Sequence, residues 1–240
     1  MTLIARLLLL IAIAAALMLL LAGPGTRLDF WDFRFGFTLM RWALYLGAGS
    51  AILALLLVLI PRTRKGSAGA LTMTLIIGLA TAAVPLILVQ QARSLPRIHD
   101  ISTDTLNPPE FIEIAPLRAD APNPVDYPGE EVARQQREAY PDILPLSTDI
   151  YPAIVFDHAV DTAEGMGWEI VVADPDMGRI EATDTTTWFG FKDDVVIRIR
   201  SSNGGSVIDV RSKSRVGASD VGANAARIRR YLDALEERMQ

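Results

Sequence analysis

The sequence predicts an α+β protein, in which a three-helix transmembrane anchor precedes a small domain with a four-stranded antiparallel meander sheet flanked by helices. Three observations lead to this prediction. Three long apolar runs occupy the first part of the 240-residue chain. From residue 151 onward, the pattern fits a helix, two hairpins and a second helix. Between these parts, prolines recur throughout residues 96–152, which is typical of an extended segment.

The apolar runs are long enough to cross a bilayer, whose hydrocarbon core needs about 20 apolar residues in a helix. They predict spans at about 3–22, 42–60 and 70–89, within a transmembrane region of residues 1–92. No Asp, Glu, Lys, Arg or His lies inside the second or third run, which favours an anchor over a transport pathway. The first run, with Arg6 before it, also has features of a cleavable signal peptide.

Basic residues predict the orientation of the spans. The short connection 61–69 contains Arg62, Arg64 and Lys65 and no acid, and such loops favour the cytoplasmic side. We therefore expect a multi-pass membrane protein whose soluble domain lies outside the cytoplasm, which for an inner-membrane protein is the periplasm. Residues 28–37 alternate aromatic and charged side chains, as expected of a loop in the headgroup region.

The charge of the chain differs between its two parts. Residues 1–90 have seven basic and two acidic residues, a balance of +5, whereas the remainder has sixteen basic and twenty-six acidic residues, a balance of −10. An acidic domain of this kind excludes nucleic acid as a partner, because nucleic-acid binding needs a basic face. The chain has no cysteine, which excludes disulfides, a thiol nucleophile and cysteine-based metal sites.

The best-specified element is a hairpin of residues 195–200 and 207–213 around Asn203-Gly204. Asn-Gly favours a type I′ turn because both positions need positive φ. This turn places Arg198 opposite Asp209 and leaves one face of the hairpin mostly apolar. The other predicted opposite pairs are Ile199 with Ile208, Ile197 with Val210, Val195 with Ser212 and Asp194 with Lys213.

The hairpin belongs to a soluble α+β domain predicted at residues 151–240, with a helix over 151–164 and strands over 168–172 and 179–183. The C-terminal helix is expected to begin at an N-cap, Ser219 or Asp220, and to turn Arg227 away from the sheet. The proline-rich region, residues 93–150, is expected to wrap the domain as a loop, with one short helix at 130–139.

Several motifs occur in order along this part of the chain. They are His99–Thr105, Met166–Trp168, Gly178–Ala182, Trp188–Asp194 and Arg211–Gly217, followed by Asp220, Gly222, Asn224 and Ala225. Together they resemble the bacterial domain-of-unknown-function family 1499 over about residues 97–235. The resemblance implies a domain that is fused to membrane spans or exported as a lipoprotein-like protein. It implies no activity, cofactor or catalytic residue.

Two groups of candidate site residues lie before the hairpin or at its entrance. His99, Asp100 and Asp104 offer one imidazole and two carboxylates, which suits a hard metal or a histidine oriented by an acid. The same residue types also cap backbone amides in ordinary loops. Trp188 and Lys192 are candidates for an aromatic ligand platform, or for core packing beside a strand entrance.

A third group combines a basic strand with the start of a helix, where free amides favour an anion. Its residues are Arg211, Arg215, Asp220, Asn224 and Arg227. The alternative interpretation is a solvated sheet face paired with Asp194 and Asp209, next to an ordinary N-cap.

These observations predict a non-enzymatic envelope protein that is embedded in the lipid bilayer and binds a protein, a lipid or a small anionic ligand. We expect no cofactor and no bound metal. The alternative is a membrane-tethered hydrolase or metal-dependent enzyme acting on an anionic substrate. It would use His99, Asp100 and Asp104 together with Arg215 or Arg227, and it requires residues 97–107 to fold back onto residues 211–227.

Overall fold

A computed structural model describes residues 2–240 and divides the chain into two compact units. The first unit contains the chain up to Arg93 together with Thr187–Gly190. The second contains Ser94–Thr186 and Phe191–Gln240. Apolar helices come first and an antiparallel sheet with helices follows, so the predicted α+β class is confirmed.

The first unit is built from α1 (Leu3–Arg27), α2 (Phe33–Val58), the short α3 (Pro61–Arg64) and α4 (Ala68–Ser94). The three long helices are each long and apolar enough to cross a membrane, as predicted. Residues 33–37 belong to α2 instead of forming an interfacial loop. The helix begins this early because Asp32 is its N-cap. The Asp32 carboxylate accepts hydrogen bonds from the backbone amides of the first turn, the shorter at 2.7 Å.

The long helices contact one another through small residues. Along most of α1 the buried positions follow alternating steps of three and four, like a coiled-coil seam. These positions are Ala5, Leu8, Ala12, Ala15, Leu19 and Ala22, and Gly23 and Gly25 are buried after them. Where α2 and α4 meet, a Cβ built on Gly78 would lie 2.5 Å from the carbonyl oxygen of Gly47. Large apolar side chains such as Leu56 and Ile87 remain exposed. Small residues inside and apolar residues outside are typical of helices that associate in lipid.

The second unit contains six strands and four helices. In chain order they are β1 (Asp100–Ser102), α5 (Ile114–Leu117), α6 (Glu130–Ala139), β2 (Leu146–Thr148), α7 (Pro152–Gly165), β3 (Glu169–Asp174), β4 (Arg179–Thr185), β5 (Lys192–Ser202), β6 (Gly205–Ser214) and α8 (Ala223–Arg238).

The strands form one antiparallel sheet in the order β1-β6-β5-β4-β3, with β2 also paired to β6. The four predicted strands are therefore present and consecutive. The sheet also has β1 and β2, which the sequence analysis did not predict. Each of these strands has only three residues, too few for a recognisable period of two.

The hairpin of β5 and β6 has the predicted register. Arg198 lies opposite Asp209, and Ile199 lies opposite Ile208. Asn203 and Gly204 have φ values of 48° and 89°, as a type I′ turn requires.

Both faces of the sheet are covered. On one face, Val195 and Ile197 pack with α7 and α8 in the main hydrophobic core. On the other, Val196 packs with Phe111 and Ile114 in a smaller cluster. The latter two belong to residues 103–127, which we call the cover segment. We call the two surfaces of the sheet the helix face and the covered face.

The orientation predicted for Arg227 is wrong. Its side chain is 3% exposed and lies between α8 and the sheet, where its guanidinium donates to Asp193 at 2.6 Å and to Asp184 at 2.7 Å. The apolar stripe of α8 predicts a contact with the sheet, but it does not reveal a buried cation on the same side. The acids that accept from Arg227 lie on β4 and β5, so that only the folded sheet brings them together.

Candidate functional site

The start of the second unit folds back onto its end, as the enzyme alternative requires. β1 pairs with β6, with Asp100 opposite Lys213. The backbone amide of Asp220 donates to the carbonyl of Ile98 at 3.1 Å. Residues 97–107 and 211–227 are therefore neighbours in the structure.

Backbone proximity does not bring the candidate side chains together, because successive side chains on a strand point to opposite faces. The candidate residues on the covered face are Asp100, Asp104, Arg211 and Arg215. Those at the helix face are His99, Asp220, Asn224 and Arg227. The sheet itself separates the two groups.

On the covered face, Asp100 is the centre of a buried ion-pair cluster. Its two carboxylate oxygens accept hydrogen bonds from Nε and Nη2 of Arg211 at 2.9 and 2.8 Å. Lys213 donates to the same carboxylate at 2.7 Å. All three side chains are at most 2% exposed. The carboxylate is therefore held between two cations and is not free to bind a metal ion.

The cations of β6 also hold the cover segment. Arg211 donates to the carbonyl oxygens of Pro109 at 3.0 Å and Val125 at 2.9 Å, and Lys213 donates to that of Asp126 at 2.7 Å. The alternative interpretation, a solvated sheet face, is therefore wrong for Arg211. Its guanidinium is covered by residues distant in sequence, and burial of this cluster lowers the pKa of the Lys213 ammonium.

A second buried carboxylate, Asp194, links three elements. It accepts from Arg118 of the cover segment at 3.0 Å and from Nη2 of Arg215 at 2.8 Å. The hydroxyl of Thr183 on β4 donates to it at 2.8 Å. Because Arg215 is engaged here, a structural role accounts for its charge.

Glu181 on β4 fixes the beginning of α5. Its carboxylate accepts hydrogen bonds from the backbone amides of Ile112, Glu113 and Ile114 at 2.9, 3.2 and 2.8 Å. The side chain is fully buried. Hydrogen bonds to an ionised acceptor are stronger than neutral ones, so this residue holds the cover segment in place.

At the helix face, Asn224 of α8 connects β6 with His99, the residue before β1. Its amide nitrogen donates to the carbonyl of His99 at 3.1 Å, and its amide oxygen accepts from Ser212 at 2.7 Å. Arg227 donates to the same oxygen at 2.5 Å. The side chains of Asn224 and Arg227 are therefore used in contacts that hold the fold together.

The N-cap of α8 is Gly222 and not Ser219 or Asp220, so the predicted start of the helix is two or three residues too early. The reason is that Val221 and Gly222 both have positive φ and cannot belong to the helix. Asp220 nevertheless binds amides at this helix start. Its two carboxylate oxygens accept from the backbone amides of Gly222 at 2.8 Å and Asn224 at 3.0 Å. This acid therefore occupies the amides of Gly222 and Asn224, at the position where an external anion would bind. Burial raises the pKa of Asp220, and these hydrogen bonds oppose the shift.

His99 lies next to this cap and is partly buried. Desolvation lowers its pKa, and the nearby charge of Lys213 lowers it further. Asp100 and Asp220 act in the opposite direction. Among residues 2–240, no group of three or more His, Cys, Asp or Glu side chains is arranged to hold a metal ion.

The remaining candidates, Trp188 and Lys192, lie in different units. Trp188 packs within the first unit against Gly23, where an added Cβ would lie 2.3 Å from the indole ring. Arg27 donates to the carbonyl of Thr187 at 2.6 Å. Lys192 begins β5 and is exposed.

The covered face also has a cleft of about 230 Å³ between the cover segment and strands β4 and β5. Its lining residues are Asn107, Pro108, Pro109, Glu110, Ile112, Met177, Arg179, Val196 and Arg198. Arg179 and Arg198 are direct partners in the register of β4 and β5. The sequence alone does not predict this pair, because an irregular loop, residues 186–191, joins the two strands and leaves their register undetermined. The signal that the sequence does contain is one arginine in each predicted hairpin, Arg179 in the first and Arg198 in the second.

Comparison with known proteins gives one family. A family model described as a protein of unknown function (DUF1499) matches residues 100–235, more than half of the chain. No curated protein matches the chain.

Proposed function

The chain belongs to the DUF1499 family, and on that premise we propose that it is an inner-membrane protein whose α+β domain faces the periplasm as a binding module. Three candidate spans supply the anchor. The observation that carries the proposal is the cleft on the covered face, whose wall is held by two buried charged residues: Arg211 donates to the carbonyl of Pro109, and Glu181 accepts from the amide of Ile112. Preorganised walls of this kind favour ligand binding, because little order has to be created when the ligand arrives.

The periplasmic side is supported by the distribution of basic residues. Arg62, Arg64 and Lys65 lie between the second and third spans with no acid. Short connections with this composition remain in the cytoplasm. With three spans, the segment after α4 lies on the side opposite to this connection.

A binding role is supported by what the polar candidates already do. Asp100, Arg211 and Arg215 are engaged in ion pairs that hold the fold together, and Asp220 caps a helix. The enzyme alternative would need these groups to be available to a substrate. The cleft, in contrast, is open and is lined by both apolar and basic side chains.

Reporter fusions test the orientation. We expect alkaline phosphatase fused after Gln240 to be active and the same enzyme fused after Lys65 to be inactive, with the reverse pattern for a fluorescent protein that matures only in the cytoplasm. An active phosphatase after Lys65, together with an inactive one after Gln240, would show a cytoplasmic domain and refute the proposed orientation.

A thermal-shift screen of the purified full-length chain tests the binding role. A ligand that binds only the folded state raises the melting temperature, so we expect stabilisation by at least one small molecule without its conversion. Turnover of the stabilising compound, detected by mass spectrometry of the mixture, would favour the enzyme alternative.

A further inference from the structure

We propose that the cleft on the covered face binds a small amphipathic anion, a carboxylate or phosphate on a short apolar chain, through Arg179 and Arg198. This inference rests on the proposed binding role and specifies its ligand. It depends on the pairing of these two arginines, their unused donors and the apolar walls around them.

The two arginines form an unusual cross-strand pair. Arg179 lies directly opposite Arg198, and side chains opposite each other in antiparallel strands have Cβ atoms about 4.5–5.5 Å apart. Like charges at this position destabilise a sheet. Both residues line the same cleft, so an anion bound there would relieve the repulsion.

Internal acids compensate the two arginines unequally. Arg198 is well compensated, because it donates to Asp209 through Nε and Nη2, at 3.0 and 2.9 Å, and its Nη2 also lies 3.2 Å from the Asp104 carboxylate. Arg179 has a weaker contact, because its Nε lies 3.2 Å from the Glu181 carboxylate without forming a hydrogen bond. The Glu181 carboxylate is shared with three backbone amides, which donate hydrogen bonds to it.

Guanidinium donors therefore remain for a ligand. Within residues 2–240, Nη1 and Nη2 of Arg179 and Nη1 of Arg198 make no hydrogen bond. Carboxylate and phosphate oxygens match the planar fork of a guanidinium group and accept two parallel hydrogen bonds from it. Arg179 thus provides one complete fork, through Nη1 and Nη2, and Arg198 adds a single further donor, Nη1, in the same cleft.

The other walls define the rest of the ligand. Ile112 and Met177 line the cleft and are 47% and 65% exposed, and Val196 forms part of the same lining. The volume of about 230 Å³ is smaller than the roughly 300–1,000 Å³ of sites for drug-sized ligands. A short alkyl chain bearing one anionic group fits both the size and the polarity.

One acid also lines the cleft. Glu110 is exposed, and its charge repels an anionic ligand, with an effect that solvent screening reduces. Its removal should therefore tighten binding. This provides a variant whose effect is opposite in sign to that of an arginine substitution.

Calorimetry on the full-length chain in phosphatidylcholine nanodiscs tests the proposal, with empty nanodiscs correcting for partition into lipid. The probes are pentanoate, pentyl phosphate and, as the cationic control, pentyltrimethylammonium. The variants are Arg179→Gln, Glu110→Gln and the matched control Arg200→Gln. Arg200 also pairs with Asp209 but does not line the cleft.

We expect at least one anionic probe to bind and the cationic probe to bind at least tenfold more weakly. Arg179→Gln should reduce the affinity for the anion about tenfold or more, as expected for a charge-assisted hydrogen bond. Arg200→Gln should change it less than twofold, and Glu110→Gln should increase it. The stronger anionic probe identifies the headgroup as carboxylate or phosphate.

The proposal would be overturned if the cationic probe bound as tightly as the anionic probes. It would also be overturned if Arg179→Gln and Arg200→Gln reduced the affinity for the anion equally while their melting temperatures stayed unchanged. If Arg179→Gln loses stability, Glu110→Gln becomes the deciding variant. Unchanged or weaker anion binding by Glu110→Gln would then contradict the proposal. Failure of both anions, with stabilisation by another ligand in the screen, would refute this inference alone. A cytoplasmic domain would refute only the proposed orientation.

Discussion

Asp100 and Lys213 form an ion pair of 2.7 Å in which both side chains are 0% exposed. Burial of two charges is costly, and it is tolerated when further hydrogen bonds satisfy both groups. Here Arg211 donates to the same carboxylate, and Lys213 also donates to the carbonyl of Asp126. The pair joins the first strand of the sheet to β6 and to the cover segment.

Replacing Asp100 should destabilise the protein strongly. Asp100→Asn leaves Arg211 and Lys213 buried without a counter-charge, and loss of one partner from a buried pair costs about 3–5 kcal/mol. Chemical denaturation of the purified full-length chain measures the change. The control is Asp142→Asn, because Asp142 and its partner Arg229 are 54% and 40% exposed. That change should reduce the free energy of unfolding by about 1 kcal/mol or less. Equal effects of the two variants would contradict the stabilising role of the buried Asp100 carboxylate.

Removing the Glu181 carboxylate should loosen the beginning of α5. In Glu181→Ala, the amides of residues 112–114 lose their acceptor, and each hydrogen bond to a charged group contributes about 1.5–3 kcal/mol. We expect hydrogen exchange at these amides to accelerate about tenfold or more. Glu113→Ala removes a neighbouring exposed carboxylate and should leave exchange there nearly unchanged. Similar exchange rates in both variants would argue against this role for Glu181.

The contact between α2 and α4 should not tolerate even one methyl group. A Cβ at residue 78 would lie 2.5 Å from the backbone oxygen of Gly47, so Gly78→Ala should lower the melting temperature. Overpacking of this kind costs about 1–3 kcal/mol. Gly49→Ala on α2 is the matched control, because nothing lies within 4 Å of its Cβ position. Equal melting temperatures for the two variants would show that this helix contact does not limit stability.

The stability of the protein should depend on protonation of His99. Its folded pKa lies below the ordinary value of 6.5 because burial disfavours the charged ring. The unfolded chain therefore binds more protons just below pH 6.5, so the contribution of His99 is fully present above that pH and is lost as the pH falls through the folded pKa. The decrease in melting temperature from about pH 7.5 to about pH 5.5 should thus be smaller in His99→Gln than in the unmodified chain. Parallel pH profiles would contradict the assignment.

The sequence predicts the parts of the fold that local chemistry determines. Asn203-Gly204 fixes the turn, and the turn fixes the register of β5 and β6. The helix at Glu130–Ala139 is likewise a local feature, and the structure has it at the predicted residues.

The candidate site depends on contacts that are distant in sequence and is therefore harder to predict. Alternation places Arg211 and Lys213 on one face of β6, but only the folded chain shows that Asp100 and the cover segment bury them. The pair of Arg179 and Arg198 requires the register of β4 and β5. No tight turn between these strands determines that register from the sequence.

The position of β6 has a consequence for how the domain is made. β6 pairs with β1, β2 and β5, and the bond between Asp100 and Lys213 closes a sequence separation of 113 residues. Contacts of such long range slow folding. During synthesis, β1 and β2 leave the ribosome well before their common partner does. β3, β4 and β5 can pair with one another earlier, but β1 and β2 can join the sheet only after β6 has emerged. Until then their backbone groups lack these partners, and unpaired strands of this kind are prone to aggregation.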